Sequence, residues 1–105
     1  MADIAERLER VKVILKSIPH AAIATVNDDG SPLNTPVFCA LDQQLCMVWS
    51  SSPESMHSRN IARDGQAFGV VFDSREGHGG LYIAGRAGQL QAESEVDAAY
   101  ELIST

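Results

Sequence analysis

Residues 20–50 read HAAIATVNDDGSPLNTPVFCALDQQLCMVWS, and this stretch decides the fold. Three short apolar segments predict strands, at residues 20–26, 33–41 and 45–49, and the first of them contains several β-branched residues. The polar sequence NDDG, which ends in Gly30, predicts a tight turn with a positive φ at the glycine, and residues 42–44 predict a second turn. Because turns this short leave no room for helical crossovers, we expect the three strands to form an antiparallel meander.

The segments on either side of the meander predict helices and two further strands. Before it, apolar residues recur at spacings of three and four over residues 4–18, with Asp3 as the N-cap and Pro19 ending the helix. After it, we expect Ser52 to cap a short helix that continues to Arg63. The remaining predictions are a strand at 67–72, a flexible loop at 74–80, a strand at 81–91 and a helix at 93–104. This order favours a mainly β (α+β) fold of antiparallel strands with flanking helices.

Composition limits both the number of domains and the class of partner. With 105 residues, of which 45% are apolar and 21% charged, the chain fits one globular domain spanning residues 1–105. Lys and Arg number 8 against 14 Asp and Glu, a net charge of -6 that argues against nucleic-acid binding and against docking on an anionic membrane. The sequence has neither a membrane-spanning apolar run nor a signal-peptide core, so we expect a cytoplasmic protein. We expect Cys39 and Cys46 to be reduced and packed as small hydrophobic residues.

Common catalytic and nucleotide-binding motifs are absent from the sequence. It contains no GxGxxG between a strand and a helix, no GxxxxGK[ST], no HExxH, no CxxC and no GxSxG. The three histidines, at positions 20, 57 and 78, are too scattered to indicate a metal site.

Residues 49–61, WSSSPESMHSRNI, form the one segment whose composition indicates chemistry. Hydroxyl groups cluster there between a predicted strand and a predicted helix. Helix N-termini offer free N–H groups and a partial positive charge to phosphates, and His57 and Arg59 can add positive charge. One interpretation is therefore an anionic cofactor site. The other is that the serines only cap the helix, and the residues alone leave both interpretations open.

Six short segments follow one another along the chain in a specific order and spacing. They are AIATV with NDDGSP at 22–32, TPVF at 35–38, VWSS at 48–51, SMHSRNI at 55–61 and GLYIAGRA at 80–87. In this order, over residues 18–91, the chain resembles the pyridoxamine 5'-phosphate oxidase-like family of FMN-binding split barrels. The resemblance implies a split β-barrel that forms a homodimer with one FMN in each of two interface sites. Since the sequence ends at Thr105 within its last predicted helix, we expect the barrel to be short at the C-terminus.

The resemblance also implies which residues bind the cofactor. The eight positions are Thr35, Pro36 and Val37 for the flavin ring, Ser50 and Ser51 for the ribityl-phosphate tail, and Ser55, His57 and Asn60 for the surroundings of the phosphate. The strand at 81–87 would help to build the dimer interface. The implied activity is flavin-mediated redox chemistry, in which the protein holds and tunes the ring. No residue is indicated as a catalytic acid or base.

The chain departs from the oxidases of this family where they carry positive charge. The positions at which those oxidases place Arg or Lys hold Thr35, Ala40, Met56 and His57, and residues 17–58 contain neither Lys nor Arg. Charge-assisted hydrogen bonds contribute about 1.5–3 kcal/mol each, so their loss weakens phosphate binding. The family's C-terminal substrate-binding Arg and His have no match either, which argues against pyridoxamine phosphate as the substrate. Two alternatives stay open: a relative that uses a deazaflavin or haem, and a non-catalytic dimeric binding or sensing module that has lost the cofactor.

Overall fold

The computed structural model describes residues 4–17, 19–72 and 79–104. Its elements are, in chain order, α1 (Ile4–Ser17), β1 (His20–Val26), β2 (Pro32–Leu41), β3 (Met47–Trp49), α2 (Met56–Arg63), β4 (Gln66–Phe72), β5 (Gly80–Arg86) and α3 (Glu93–Ser104). Two predictions lie outside the described residues, namely the N-cap at Asp3 and most of the loop at 74–80.

The strands of the described residues form one antiparallel sheet in the order β3-β2-β1-β4-β5. The predicted meander is confirmed, because β1 pairs with β2 from His20 opposite Phe38 to Val26 opposite Pro32, and β2 pairs with β3. β1 also pairs with β4, which places β1 at the centre of the sheet, and β4 pairs with β5. This antiparallel sheet with flanking helices confirms the mainly β (α+β) fold predicted from the order of elements, and it agrees with the split barrel that the resemblance implies.

The turn between β2 and β3 is longer than predicted, so β3 begins at Met47 instead of residue 45. The carboxylate of Asp42 accepts hydrogen bonds from the backbone N–H groups of Gln44 and Cys46, both at 2.9 Å. Leu45 has a φ of 65°, in the left-handed region that side chains other than glycine rarely adopt. This capped turn therefore removes residues 45 and 46 from the strand pairing.

Two further boundaries differ from the prediction. α2 begins at Met56 with Ser55 as its N-cap, so the assignment of the cap to Ser52 is wrong. The carbonyl of Ser52 instead accepts a hydrogen bond from the Ser55 N–H and closes a turn ahead of the helix. β5 ends at Arg86 and not at residue 91, because its partner β4 begins at Gln66 and offers no further strand to pair with.

The core lies between α1 and the inner face of the sheet. Its buried apolar residues are Ala21, Ile23, Val37, Cys39 and Val71. From α1, Val11 and Ile14 pack against this cluster. Burial raises the pKa of the Cys39 thiol, which stays protonated as a small core residue. Both cysteines are free, but Cys46 is exposed, so the prediction that it is packed is wrong.

The opposite face of the sheet, which we call the outer face, is unusually apolar. Side chains alternate between the two faces along a strand, so the register assigns five large exposed side chains to the outer face. These are Val26, Phe38, Phe68, Phe72 and Tyr82, which are 42–71% exposed. The rings of Phe68 and Tyr82 lie side by side on β4 and β5, with centroids 6.3 Å apart. Among the described residues, no helix has the length and apolarity needed to cross a membrane.

The turn between β1 and β2 is closed by Asp29. Gly30 adopts a φ of 87°, as predicted, and its N–H donates to the carbonyl of Asn27 at 2.9 Å. The carboxylate of Asp29 accepts hydrogen bonds from the Ser31 hydroxyl at 2.5 Å and from the Ser31 N–H at 2.9 Å. These two bonds hold the pKa of Asp29 below its ordinary value of 3.8, and the bond from the hydroxyl has the larger effect.

Replacing Ser31 with alanine is expected to raise the pKa of Asp29 towards its ordinary value, because the hydroxyl donor is lost. The pKa of Asp29 is lower in the folded than in the unfolded chain, so its hydrogen bonds contribute stability above pH 3.8. That contribution is lost as the pH falls through the folded-state pKa. An NMR titration of the Asp29 side chain measures the change. Ser94→Ala on α3 is the control and should leave the titration unaltered, whereas an unaltered Asp29 in Ser31→Ala would contradict the prediction.

Candidate functional site

The segment between β3 and α2 is folded by hydrogen bonds among its own serines. The carbonyl of Ser52 accepts from the Ser55 N–H at 3.1 Å and from the Ser55 hydroxyl at 2.8 Å. Ser55 has an extended backbone (φ -64°, ψ 155°), and its hydroxyl oxygen accepts from the Ser58 N–H at 3.4 Å. This is the geometry of an N-cap, and it orients the first turn of α2 against the sheet.

His57, in the first turn of α2, lies at the centre of a group of hydroxyls. Its side chain is only 8% exposed. The Nε2 atom lies 2.7 Å from Ser51 Oγ and 3.5 Å from Ser55 Oγ, and Ser55 Oγ lies 2.8 Å from Ser58 Oγ. We call Ser51, Ser55, His57 and Ser58 the serine–histidine cluster. The structure thus brings together three of the cofactor-binding residues predicted from sequence.

Asn60, a fourth predicted residue, lies one turn further along α2 and is 3% exposed. Its amide nitrogen donates to Thr25 Oγ1 at 3.0 Å and to Asn27 Oδ1 at 2.9 Å. The guanidinium group of Arg63 donates to Asn60 Oδ1 at 3.4 Å and also to the backbone carbonyl of Val26. These bonds fasten α2 to the end of β1. The amide of Asn60 is therefore occupied by protein groups, which indicates a positioning role.

Ser50 lies at the other side of the segment and meets the C-terminal helix. Its hydroxyl donates to the phenolic oxygen of Tyr100 on α3 at 3.3 Å, across fifty positions of sequence. Sequence reasoning missed Tyr100, as well as Thr25 and Asn27. The sequence does indicate a role for Thr25, because a polar residue on the buried face of β1 needs a hydrogen-bond partner there. It indicates no such role for Tyr100, because the contact depends on how α3 packs on the sheet.

The three residues predicted to line the flavin ring lie on two different faces of β2. Thr35 and Val37 point to the inner face, and Val37 is 8% exposed within the core. Pro36 points to the outer face and is exposed. The alternation of a strand separates them in this way, so a ring on one face of β2 meets the side chains of only one set. None of the hydrogen bonds described for the serine–histidine cluster involves this strand.

A groove beside α3 has the wrong charge for an anionic ligand. It measures about 540 Å³, lies between α3 and the turn that joins β2 to β3, and its lining includes Asp42, Glu95 and Glu101. Carboxylates repel a phosphate group, so the serine–histidine cluster is the better candidate site. In the part of the chain that the structure describes, no three His, Cys, Asp or Glu side chains are grouped so that they could hold a metal ion.

The hydrogen-bond donors at the start of α2 suit a phosphate group, whereas few positively charged side chains are available there. The segment 50–52 carries three hydroxyls, of which that of Ser50 is bonded to Tyr100. The backbone N–H groups of Met56 and His57 belong to the first helical turn and have no intrahelical acceptors. Positive charge is scarcer, because Arg63 is engaged by Asn60 and by the end of β1. The residues present therefore fit the phosphate of FMN through hydrogen bonding, with little formal charge to support it.

The curled antiparallel sheet of five strands, with its flanking helices, places the chain in the class of split-barrel proteins. A profile of the family described as pyridoxamine 5'-phosphate oxidase matches residues 8–104. The chain therefore belongs to the pyridoxamine 5'-phosphate oxidase family, and the resemblance stated from sequence is confirmed. A comparison with curated protein sequences finds no significant match.

Solved structures share the fold at low sequence identity. A conserved hypothetical protein from Mycobacterium tuberculosis aligns with a TM-score of 0.80 and 18% identity, over 98% of this chain and 62% of that one. A heme-binding protein from Mycobacterium smegmatis aligns with a TM-score of 0.75 and 25% identity, over 90% of this chain and 40% of that one. An F420 reductase aligns with a TM-score of 0.66 and 20% identity, over 74% of this chain and 61% of that one. This chain thus spans 40–62% of their lengths. Because the last two are named for different ligands, the shared fold leaves the cofactor of this chain open.

Proposed function

We propose that the chain is one subunit of a homodimeric FMN-binding protein that carries out flavin redox chemistry on a substrate other than pyridoxamine phosphate. The observation that supports this most is the convergence of Ser51, Ser55 and His57 within 3.5 Å at the start of α2, in a member of this family. Hydroxyls and free helix N–H groups are the donors that recognise a phosphate. When bound, the flavin supplies the electron transfer, and the chain's own residues hold and orient it.

The proposed roles of the residues follow from their hydrogen bonds. Ser50 and Ser51 contact the ribityl-phosphate tail, and the hydroxyl of Ser51 is kept in place by His57. Ser55 and His57 lie beside the phosphate. Asn60 acts indirectly, by fastening α2 to β1 so that the serine–histidine cluster keeps its geometry. On β2 the ring meets Pro36 on the outer face, or Thr35 and Val37 through their backbone.

The proposed partner is a second copy of the chain, seated on the outer face. Large exposed apolar patches often mark protein–protein interfaces. Exposed aromatic side chains of β2, β4 and β5 share the outer face, namely Phe38, Phe68, Phe72 and Tyr82. A depression of about 470 Å³ is lined by residues of β1, β2 and β4 that include Ala22, Ala24 and Phe68 of this face. Two copies that meet there bury these rings and enclose the flavin between them.

The visible spectrum of the purified protein, with titrations of FMN, tests the proposal. We expect a flavin absorption band and release of FMN on denaturation. The double change Ser51→Ala, His57→Gln should weaken FMN binding about tenfold to hundredfold, since it removes hydrogen bonds to a charged group. Ser94→Ala, an exposed serine on α3, is the matched control and should bind FMN as the wild type does. A colourless protein that fails to bind FMN at micromolar concentration would refute the proposal.

A second candidate is a dimeric binding or sensing module that has kept the fold without the cofactor. The scarcity of positive charge favours it, because Arg63 is already engaged and residues 17–58 contain neither Lys nor Arg. Haem and a deazaflavin are further possible ligands, because a heme-binding protein from Mycobacterium smegmatis and an F420 reductase share the fold. The same spectrum separates all four: a flavin band, a Soret band, a deazaflavin band, or no visible absorption in a protein that is still dimeric.

A further inference from the structure

We propose that the groove between α3 and the turn that joins β2 to β3 binds an aliphatic polyamine, an organic cation in which short methylene chains join several ammonium groups. The groove shares no residue with the serine–histidine cluster, so this site is separate from the proposed flavin site. Its volume of about 540 Å³ lies within the range of about 300–1,000 Å³ that is usual for small-molecule sites.

The charge of the groove is negative and is not balanced from within the chain. Its ionisable lining residues are Asp42, Glu95 and Glu101. They belong to two segments of sequence, residues 17–58 and 87–105, that contain neither Lys nor Arg. The ion pairs of the described residues lie elsewhere, one on α1 and one between β5 and the end of α2. A cation from outside the chain is therefore the counter-ion that suits these carboxylates.

The groove is also lined by apolar side chains. Val48 on β3, Leu90 ahead of α3 and Leu102 on α3 contribute to it, together with the alanines at positions 98 and 99. Residues 95, 98, 99 and 102 have the spacing of one helix face, so the two alanines lie between a glutamate and a leucine on that face. Their small side chains leave space that a longer residue would fill. Methylene groups are stabilised by covering such a surface, whereas a hydrated inorganic cation is not.

The carboxylates are spread along the groove and are not gathered at one point. Glu95 and Glu101 are six positions apart on α3, a rise of about 9 Å along the helix axis. Three carboxylates line the groove, yet in the described part of the chain no three His, Cys, Asp or Glu side chains are grouped so that they could hold one metal ion. This distribution matches a cation whose charges are separated by methylene chains. A length of about two helical turns also suits a small molecule better than a docked helix.

Isothermal titration calorimetry with spermidine, a triamine, tests the inference on the purified protein. We expect saturable binding that weakens as the ionic strength rises, because the carboxylates of the groove are partly or fully exposed. Putrescine, a diamine, should bind about tenfold less tightly, since it forms fewer ion pairs and covers less apolar surface. Mg²⁺ at the same concentrations should show no saturable binding. In amide NMR spectra, the shifts caused by spermidine should be confined to residues 42–48 and 90–102.

Two pairs of substitutions separate the groove from the overall negative charge of the chain. Glu95→Gln combined with Glu101→Gln should weaken spermidine binding about tenfold. Glu93→Gln combined with Asp97→Asn is the matched control, because it removes the same charge from the same helix at positions that do not line the groove. The control should keep its affinity within about twofold of the wild type. Ala98→Phe should also weaken binding, since it fills the groove without changing the charge.

The inference is overturned if spermidine shows no saturable binding at millimolar concentration. It is also overturned if the control pair weakens binding as much as the groove pair does, because binding would then follow the net charge alone. A trilysine peptide that binds more tightly than spermidine would reassign the groove to a basic segment of a partner protein. Each of these outcomes leaves the proposed flavin site untouched, since that site is tested separately by the visible spectrum.

Discussion

Asn60→Ala is expected to lower the free energy of unfolding by about 2–3 kcal/mol, a large fraction of the stability of a small domain. The amide of Asn60 is 3% exposed and donates to both Thr25 and Asn27. Its removal leaves these acceptors without a donor at the junction of α2 and β1, and Arg63 loses the acceptor that aligns its guanidinium group. Urea unfolding followed by far-UV circular dichroism measures the change.

Arg59→Ala is the matched control, because Arg59 is exposed on the same helix one position earlier. We expect its free energy of unfolding to stay within about 0.5 kcal/mol of the wild type. The double change with Thr25→Val should cost about 1 kcal/mol less than the sum of the single changes, since both remove the same hydrogen bond. Additive losses, or a stability of Asn60→Ala equal to that of Arg59→Ala, would show that this network does not hold α2 in place.

The consequence for the site is geometric. His57 and Asn60 are separated by three positions on α2, so they lie on the same side of the helix. Fixing Asn60 on β1 therefore also fixes the depth at which His57 meets Ser51. The hydrogen bonds that stabilise the fold and those that shape the serine–histidine cluster belong to one helix face, which explains why a polar residue is buried at each of these two positions.

Local patterns in the sequence predict most of this fold. The sequence NDDG, which ends in Gly30, specifies a tight turn, and the apolar residues on either side of it specify two strands that pair with each other. The position of β1 between β2 and β4 was not predictable, because the pairing of residues 22–24 with 68–70 depends on contacts across more than forty residues. The same limit applies to Tyr100, whose contact with Ser50 arises only when α3 packs on the sheet.

The start of α2 shows how competing local signals mislead. Ser52 followed by Pro53 has the residue types of a cap and a first helical position, whereas Ser55 lacks a proline after it. The structure favours Ser55, because the carbonyl of Ser52 is used in closing a turn and the hydroxyl of Ser55 reaches the N–H of Ser58. Several serines in a row make several caps possible, and hydrogen bonding beyond the helix decides among them.

The candidate site was predictable in its polar half. Ser51, Ser55 and His57 lie within seven positions of one another in the segment between β3 and α2. Their side chains are therefore close in space, and both serine hydroxyls lie within 3.5 Å of His57 Nε2. The predicted ring contacts on β2 are a different case. A strict two-residue period assigns Thr35 and Val37 to one face and Pro36 to the other, and the burial of Val37 in the core agrees with that period. The two-residue period alone therefore predicts that Pro36 lies on the opposite face of β2 from Thr35 and Val37.

If the proposed dimer forms through the outer face, Tyr82→Asp is expected to convert it to monomers and to weaken FMN binding about hundredfold or more. Tyr82 is 71% exposed in the single chain, so the substitution leaves the fold of the subunit intact. In the proposed dimer, the same residue lies on the outer face beside Phe68 and is covered by the second copy. Burying an unpaired carboxylate there costs several kcal/mol, and a symmetric interface includes the substitution twice. Sedimentation velocity and an FMN titration on the same sample measure both effects.

Val13→Asp on α1 is the matched control, since Val13 is 61% exposed, is also apolar and acquires the same charge. It should remain dimeric and bind FMN as the wild type does, because α1 packs on the inner face of the sheet. A Tyr82→Asp protein that stays dimeric would contradict the assignment of the interface to the outer face. A monomeric Tyr82→Asp protein with full FMN affinity would confirm the interface but place the cofactor within one chain, since a site enclosed by two subunits has to weaken when they separate.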